Sequence, residues 1–364
     1  MGGNMKERGS TIKTILLVML ILFLPTVSTC LAADDAASTE TAGEAPISAE
    51  CKAFAEDPNA DIGEVIKAGC KPTLAQMSKL MDNPLGNVAM LFTQFDVYKM
   101  TNEEATKKTA TKSVYTGIAQ FPKKLSEDWN LINRVVWTVP SVPLDQDKID
   151  SAAGRQEQYG EGPGATLPPA AGSALPIDVF DGRTTGFGDM YYVGLFSPNE
   201  GADWLNGKFL WGAGFDAGFP TASEDILGTG RYTAGPSGLA LYMGPKWKVG
   251  GLLQHYWDFA GDDDRDSVNL TNFQYFIYYS IDDVTSIGAS PNIIANWELD
   301  NDDRWTVPVG LGINRTFQFG KVPVRIGVEA HYSVIQPDNV PSSEWDFRVF
   351  IIPALPSALF DWMN

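Results

Sequence analysis

The stretch RWTVPVGLGINRTFQFGKVPVRIGVEAHYSV, from Arg304 to Val334, limits what this chain can become more than any other. Alternate residues of its first arm put Trp305, Val307, Val309, Leu311 and Ile313 on one face, and Arg304, Thr306, Pro308, Gly310, Gly312 and Asn314 on the other. The second arm sets Val322, Val324, Ile326, Val328, Ala330, Tyr332 and Val334 against Pro323, Arg325, Gly327, Glu329, His331 and Ser333. Successive side chains leave a strand on opposite sides, so this period of two predicts a hairpin. Two architectures satisfy it. In a soluble sandwich the apolar face is the core. In a transmembrane barrel that face meets lipid, and the polar, glycine-rich face lines a lumen.

The amino end narrows the choice. Lys6, Arg8 and Lys13 precede an apolar run from Ile15 to Leu24, then Pro25 and small residues up to Ala32 and Ala33. This is the charged start, greasy middle and small-residue cleavage site of a secretory signal, expected over residues 1–33. The run is too short for a spanning helix, which needs about 20 apolar residues, and no later segment is long enough either. Cys30 invites a lipoprotein reading, but Thr29 stands where a smaller residue is expected, so Cys30 is read as part of the removed peptide. With 45 acidic against 27 basic residues and a net charge of -18, the chain lacks the basic face a nucleic-acid partner requires.

Residues 34–82 read as a flexible tether, rich in Ala, Thr, Ser, Asp and Glu from Asp34 to Pro46, followed by a helical segment broken at Pro58 and Pro72. Cys51 and Cys70 are its two cysteines. An even pair in an oxidising compartment is most simply a disulfide, which contributes about 3 kcal/mol by the chain-entropy estimate and holds short helices that could not nucleate alone.

From Asn83 onward, residues 83–364, the period becomes two and about twelve arms follow: Asn87–Lys99, Thr111–Phe121, Asp128–Thr138, Gly188–Phe196, Lys208–Phe219, Arg231–Met243, Lys246–Phe259, Val268–Ser280, Val284–Trp297, Arg304–Phe317, Val322–Val334 and Trp345–Ile352. Long connections alternate with tight ones such as Gly244-Pro245, Asp282-Asp283 and Gly320-Lys321, as when loops sit at one end of a barrel and turns at the other. Tyr232 and Tyr242 share a face ten residues apart. At about 3.3 Å per residue and a tilt near 40°, this spans roughly 25 Å, the height of a lipid-facing band. The inward sets are small as well as polar: Lys208, Leu210, Gly212, Gly214, Asp216 and Gly218 on one arm, Ser286, Gly288, Ser290, Asn292, Ile294 and Asn296 on another. Small residues gain nothing on a water-facing surface, but inside a narrow tube they make room. The reading is therefore an all-β, closed antiparallel transmembrane β-barrel of about twelve strands with a short N-terminal helical segment.

Five stretches carry a resemblance: Asn83-Pro84-Leu85-Gly86, GFGDMYYVGLFSP from Gly186, WGAGFDAGFPTASEDILGTGRYTAGP from Trp211, HYWDFAGDDDRDSVNLTNFQYF from His255, and WTVPVGLGI from Trp305. In these the chain resembles the bacterial outer-membrane family named for a MetA pathway of phenol degradation, whose members often carry the label neuromedin U. The resemblance covers some three quarters of the chain. It implies an outer-membrane, transporter-like protein of the Gram-negative envelope, and a solute that is aromatic or hydrophobic. The insert bearing the cysteines and the tail LPSALFDWMN depart from the pattern, which leaves open whether Phe350 or Phe360 serves as the assembly signal.

Parity assigns twelve residues to the lumen: Arg134, Asp216, Lys246, Lys248, Gln254, Tyr256, Asp258, Arg325, Glu329, His331, Asp346 and Arg348. Charges of both signs on neighbouring strands, Arg325 with Asp346 and Glu329 with Arg348, serve either as salt bridges that fill and stiffen the tube or as groups that grade a passing solute. Asp262, Asp263, Asp264 and Asp266 crowd one outer loop, and Asp300, Asp302 and Asp303 another. Their spacing lacks the Gly and terminal Glu of a calcium loop, so no metal and no cofactor are expected. A lipid hydrolase would need a nucleophile and histidine on the outer wall. His255 points outward, with Phe273 expected opposite and Thr271 diagonal, and no outward serine is near, so no enzyme is expected. Expected partners are outer-membrane lipid and lipopolysaccharide, a small-molecule solute, and the barrel-assembly machinery. The alternatives are a lipid-modifying barrel enzyme and a structural surface barrel without transport.

Overall fold

The computed structural model describes residues 48–56, 65, 68–86, 88–101, 110–147, 182–320, 322–338 and 342–355. The expected signal peptide, the tether, Cys30 and Phe360 lie outside these. Two short helices come first, α1 (Ala49–Glu56) and α2 (Leu74–Met81). Twelve staves follow: β1 (Met90–Thr101), β2 (Ala110–Lys124), β3 (Trp129–Val142), β4 (Met190–Pro198), β5 (Gly207–Phe219), β6 (Arg231–Met243), β7 (Trp247–Gly261), β8 (Asn269–Ser280), β9 in two collinear pieces (Thr285–Ala289 and Asn292–Asn296), β10 (Trp305–Phe319), β11 (Val322–Ile335) and β12 (Ser342–Pro353). Every expected arm is a stave. Each pairs antiparallel with the next, and β12 pairs back onto β1 from Thr93↔Ile351 to Thr101↔Ser342, which closes the tube.

Burial along the staves is inverted relative to a soluble protein. On β11 the buried residues are Pro323, Arg325, Gly327, Glu329, His331 and Ser333, while Val328, Tyr332 and Val334 are exposed. On β10, Asn314 and Thr316 are buried, and Val309, Leu311, Ile313 and Phe317 are exposed. Leu311 is 67% exposed and His331 is 1% exposed. A water-soluble sandwich would reverse every one of these assignments.

Glycines on the inner side serve close approach. A Cβ on Gly214 would lie 1.8 Å from the Gly194 carbonyl oxygen of the neighbouring stave. A Cβ on Gly312 would lie 2.6 Å from Glu329 Cγ, so this glycine makes room for the glutamate.

The ladder between β9 and β10 runs over Thr285–Gly288 against Gly312–Arg315 and resumes at Ile294–Ala295 against Thr306 and Trp305. Between these stretches Pro291 and Pro308 stand on facing staves, and neither has an N–H to donate. The break leaves the backbone of Ser290 without a ladder partner. Side chains supply the bonds: Ser290 N–H donates to Glu329 Oε2 at 3.0 Å, and Arg348 Nη1 donates to the Ser290 carbonyl at 2.9 Å.

The helical segment does not hang free. Thr73 and Gln76 cap α2 reciprocally, Gln76 N–H to Thr73 Oγ1 and Thr73 N–H to Gln76 Oε1. Gln76 Nε2 also donates to the Phe54 carbonyl at 2.6 Å, and the Cys51–Cys70 disulfide ties α1 to the approach of α2. Beyond α2 the chain turns into the tube. Leu85 is buried against the inward side chains of Ile132, Val193, Leu195, Leu239, Leu241 and Leu252, and Met81 packs against Met90, Phe350 and Ile352. The helical spacing left open which surface covers this segment: α2 and residues 82–86 dock on the inner wall of the barrel.

Candidate functional site in the lumen

The docked segment sits at the end where the tight turns are, since β1 begins there. Its contacts are charged as well as apolar. Asp82, which follows α2, bonds Arg325 Nη1 at 2.6 Å through one oxygen and Lys248 Nζ through the other. Arg325 Nη2 donates to the Ser78 carbonyl at 2.7 Å, Ser78 Oγ lies 3.0 Å from Thr316 Oγ1, and Gln120 Nε2 donates to the Pro84 carbonyl at 2.9 Å. Two inward cations thus share one carboxylate from the plug. A buried cation without its partner is unfavourable by several kcal/mol, so the pairing specifies where the plug docks.

Two cavities follow in line. The inner one, about 150 Å³, lies between plug and wall and is lined by Asp82, Phe92, Lys248, Tyr278 and Arg325 among others. The outer one is about 670 Å³ and reaches toward the long connections. Its walls mix Val114, Val136 and Leu252 with Tyr98, Tyr191 and Tyr256. Gln94, Ile118, Arg134, Gln274 and Arg348 border both cavities and form the waist between them. At the far end Ile226 to Thr229, from the connection between β5 and β6, fold over the outer cavity. They are held by Asp189, which accepts from Ala222 N–H at 3.2 Å and Thr229 N–H at 2.7 Å.

A charged cluster fills the wall behind the waist. His331 is flanked by Asp346 on Nδ1 and Glu329 on Nε2, each at 2.8 Å. Arg348 Nε donates to Asp96 Oδ1 at 2.7 Å and stands 3.9 Å from Glu329 and 3.8 Å from Asp346. Tyr278 hydroxyl donates to Glu329 Oε1. Because Glu329 and Arg348 also close the Ser290 break, this cluster stitches β1, β8, β9, β11 and β12 together.

Arg134, Gln254, Tyr256, Asp346 and Arg348 border the outer cavity, and Lys248 and Arg325 the inner one. Asp216, Glu329 and His331 are buried in the wall, and Asp258 binds Val268 N–H at 2.9 Å near the long-connection end. Lys246 is a correction. It lies in the tight turn before β7, exposed, with its ammonium 5.6 Å from the Tyr279 ring centroid, because strand parity stops at the turn. The pairing of Arg325 with Asp346 is also corrected: Arg325 stands opposite Ile352, and Asp346 opposite His331. Glu329 and Arg348 are opposite each other as expected. Asp82, Asp96, Lys112 and Tyr278 went unassigned. Alternation on β1 is blurred, and nothing in a helical spacing says that the next residue enters a tube.

On the outer wall Thr271 stands directly opposite His255 and Phe273 opposite Leu253, two residues from the expected register. His255 Nδ1 lies 2.7 Å from Thr271 Oγ1. Trp257 packs on the imidazole with centroids 4.0 Å apart, and Trp297 Nε1 donates to the same hydroxyl at 2.8 Å.

A closed tube whose apolar side faces out and whose charges face in is stable only with hydrocarbon around it. The protein is an outer-membrane β-barrel. Neither a family model nor a curated protein matches the chain. Among solved structures it is similar to the COG4313 outer membrane channel from Pseudomonas putida F1, at 16% identity and a TM-score of 0.49, over 74% of this chain and 97% of that one. It is similar also to outer membrane phospholipase A from Escherichia coli, at 11% identity and a TM-score of 0.38, over 78% and 96% of the two chains. The CymD monoaromatic hydrocarbon channel follows at 9% identity and a TM-score of 0.32, over 78% and 91%.

Proposed function

We propose that this barrel is a small-solute channel whose periplasmic end is stopped by the docked segment from α2 to Gly86. The observation that carries the reading is the pair of cavities in line along the lumen, joined at a shared waist, with the plug latched by one carboxylate on two cations. A barrel with only a structural role has no need of an internal cavity of about 670 Å³. The family resemblance and the mixed apolar and tyrosine walls support a small solute with an aromatic or hydrophobic body. Outer-membrane lipid bathes the wall, and lipopolysaccharide and the assembly machinery are carried as further partners on the same reading.

Conductance across a planar bilayer tests it. The full chain should give small unitary currents in KCl, and Asp82→Asn, which keeps volume but releases Arg325 and Lys248, should raise open time or conductance at least about twofold. Silent membranes for both would rule the channel out.

A second reading has one observation in its favour, the hydroxyl–imidazole contact of Thr271 and His255 on the lipid-facing wall. A nucleophile and base within hydrogen-bond reach are the start of an ester-hydrolysing site. Against it, Trp257 covers the ring, and His255 Nε2 is sealed without a group to orient it. Phospholipid turnover that vanishes in both Thr271→Ala and His255→Ala would favour this reading. No turnover by the native chain would end it.

A further inference from the structure

Two of the inward cations have no carboxylate partner among the described residues. Arg134, on β3, is 8% exposed, borders both cavities, and makes no ion pair within 4.0 Å among the described residues. Its Nε is buried without a hydrogen-bond partner, and its guanidinium lies 6.0 Å from the Phe92 ring centroid. Lys112, on the outer cavity wall, has among the described residues the Tyr98 ring, 5.8 Å from its ammonium, and no ion pair. The carboxylates around the same cavity are engaged. Asp189 accepts from Ala222 and Thr229, and Asp346 holds His331 and faces Arg348. Asp216 is aligned with Arg134 across the sheet, but Val193 stands between them, so their backbones are roughly 10 Å apart at the usual strand spacing and no ion pair joins the two side chains. A guanidinium that borders a cavity and lacks an internal counter-charge is set to receive one from outside, in the fork geometry that favours a carboxylate.

The surroundings define the rest of the ligand. Tyr256 hydroxyl accepts from Gln254 Nε2 at 2.5 Å, so its own proton is free to donate, and it borders the same cavity as Arg134. Its ring meets Tyr191 edge-on at 5.5 Å, and Val193, Leu252 and Ile118 continue an apolar wall from there. About 670 Å³ lies within the range, roughly 300–1,000 Å³, of pockets that hold a small organic ligand. We infer that the waist is a binding site for small organic monocarboxylates with an apolar body, the carboxylate on Arg134 and Tyr256 and the body against the tyrosine and valine wall. This deepens the channel reading by naming what the lumen selects, and rests on that reading only for how the acid arrives. The acidic outer connection at Asp262 to Asp266 acts against a free anion, so selection belongs to the waist and not to the mouth.

Calorimetric titration of the purified full chain with benzoate, against benzyl alcohol as the uncharged match, tests the site, with KCl conductance recorded in parallel. Benzoate should bind at least about tenfold more tightly than benzyl alcohol. Arg134→Gln should lower benzoate affinity about tenfold or more, and Arg134→Lys about threefold. Equal binding of the two probes, or native-like benzoate binding by Arg134→Gln, overturns the proposal. Should Arg134→Gln fail to assemble, the comparison of probes on the native chain decides alone. A native protein that conducts KCl but does not prefer benzoate loses this site and keeps the channel. One that prefers benzoate but does not conduct keeps the site and loses the channel.

Discussion

Arg348 joins three carboxylates to a backbone oxygen, and its removal gives the sharpest test of what holds the wall together. It faces Asp96, Glu329 and Asp346 and also satisfies the Ser290 carbonyl left open by the paired prolines. Arg348→Met fits the space with apolar atoms but leaves carboxylates uncompensated and the Ser290 carbonyl with only the longer bond from Gln274 Nε2, at 3.3 Å. Breaking a buried charge network from one side costs about 3–5 kcal/mol. Denaturant unfolding in detergent should show a loss of that size, and Arg348→Lys should recover part of it by restoring the charge without the fork. A loss under about 1 kcal/mol would mean that water already solvates the cluster. Gly214 makes a different point. Any side chain there enters the Gly194 carbonyl of the next stave, so Gly214→Val should prevent β4 and β5 from pairing, read as absence of the heat-modifiable band of an assembled barrel on a gel. Sequence parity could place both residues on the inner side. It could not say that one is a hub and the other a spacer, because that depends on which residues stand opposite, and register is not visible in a single strand. Arg325 shows the limit most plainly, since its partner is Asp82 of the plug and not Asp346.

The staves were legible because alternation over nine or more residues is a strong signal, and the tight turns at Gly244, Asp282 and Gly320 punctuate it. The plug was not, although its helix was. An amphipathic spacing announces that a helix buries one side, without naming the surface that covers it. Here the cover is the inner wall, and the recognisable devices are the Thr73–Gln76 capping box, the Cys51–Cys70 bond and Leu85. These divide the work between holding the segment together and holding it in place. The disulfide acts on the first, since it links α1 to the loop before α2. Reduction, or Cys51→Ser with Cys70→Ser, should therefore loosen the helical segment by about 3 kcal/mol and expose it to trypsin while the barrel stays folded. Leu85→Ala acts on the second. It empties a buried leucine site worth about 2–5 kcal/mol, so the plug should undock and the channel current rise with the disulfide intact. Barrel unfolding on reduction would show instead that the staple supports the wall.

Taken whole, the molecule has an outer surface that only a bilayer can accept, and its tryptophans are arranged to report it. Trp129 begins β3 and meets Trp211 edge-on at 5.9 Å, and Trp247 begins β7, all near the tight turns. At the opposite end Trp297 and Trp305 pair at 5.8 Å, with Trp257 on β7, beyond β8, and Trp345 stacked on Phe347. Between the two rings the outward positions include Val309, Leu311 and Val328, with phenylalanines such as Phe95 and Phe215 and no polar ring atom among these. Indoles collect at the headgroup boundary because the ring is apolar and its N–H seeks water. Reconstituted into vesicles of lipids brominated near the headgroup, the protein should lose a large part of its tryptophan fluorescence. Lipids brominated near the chain end should quench it clearly less, since few indoles reach the mid-plane. The same comparison separates the membrane barrel from its soluble rival, in which the outward valines and leucines would be core and no brominated lipid could reach the indoles. Equal quenching at both depths would place the rings in the hydrocarbon centre and displace the roughly 25 Å band read from Tyr232 and Tyr242. No quenching at all would remove the bilayer from the account, and with it every claim about what passes through the tube.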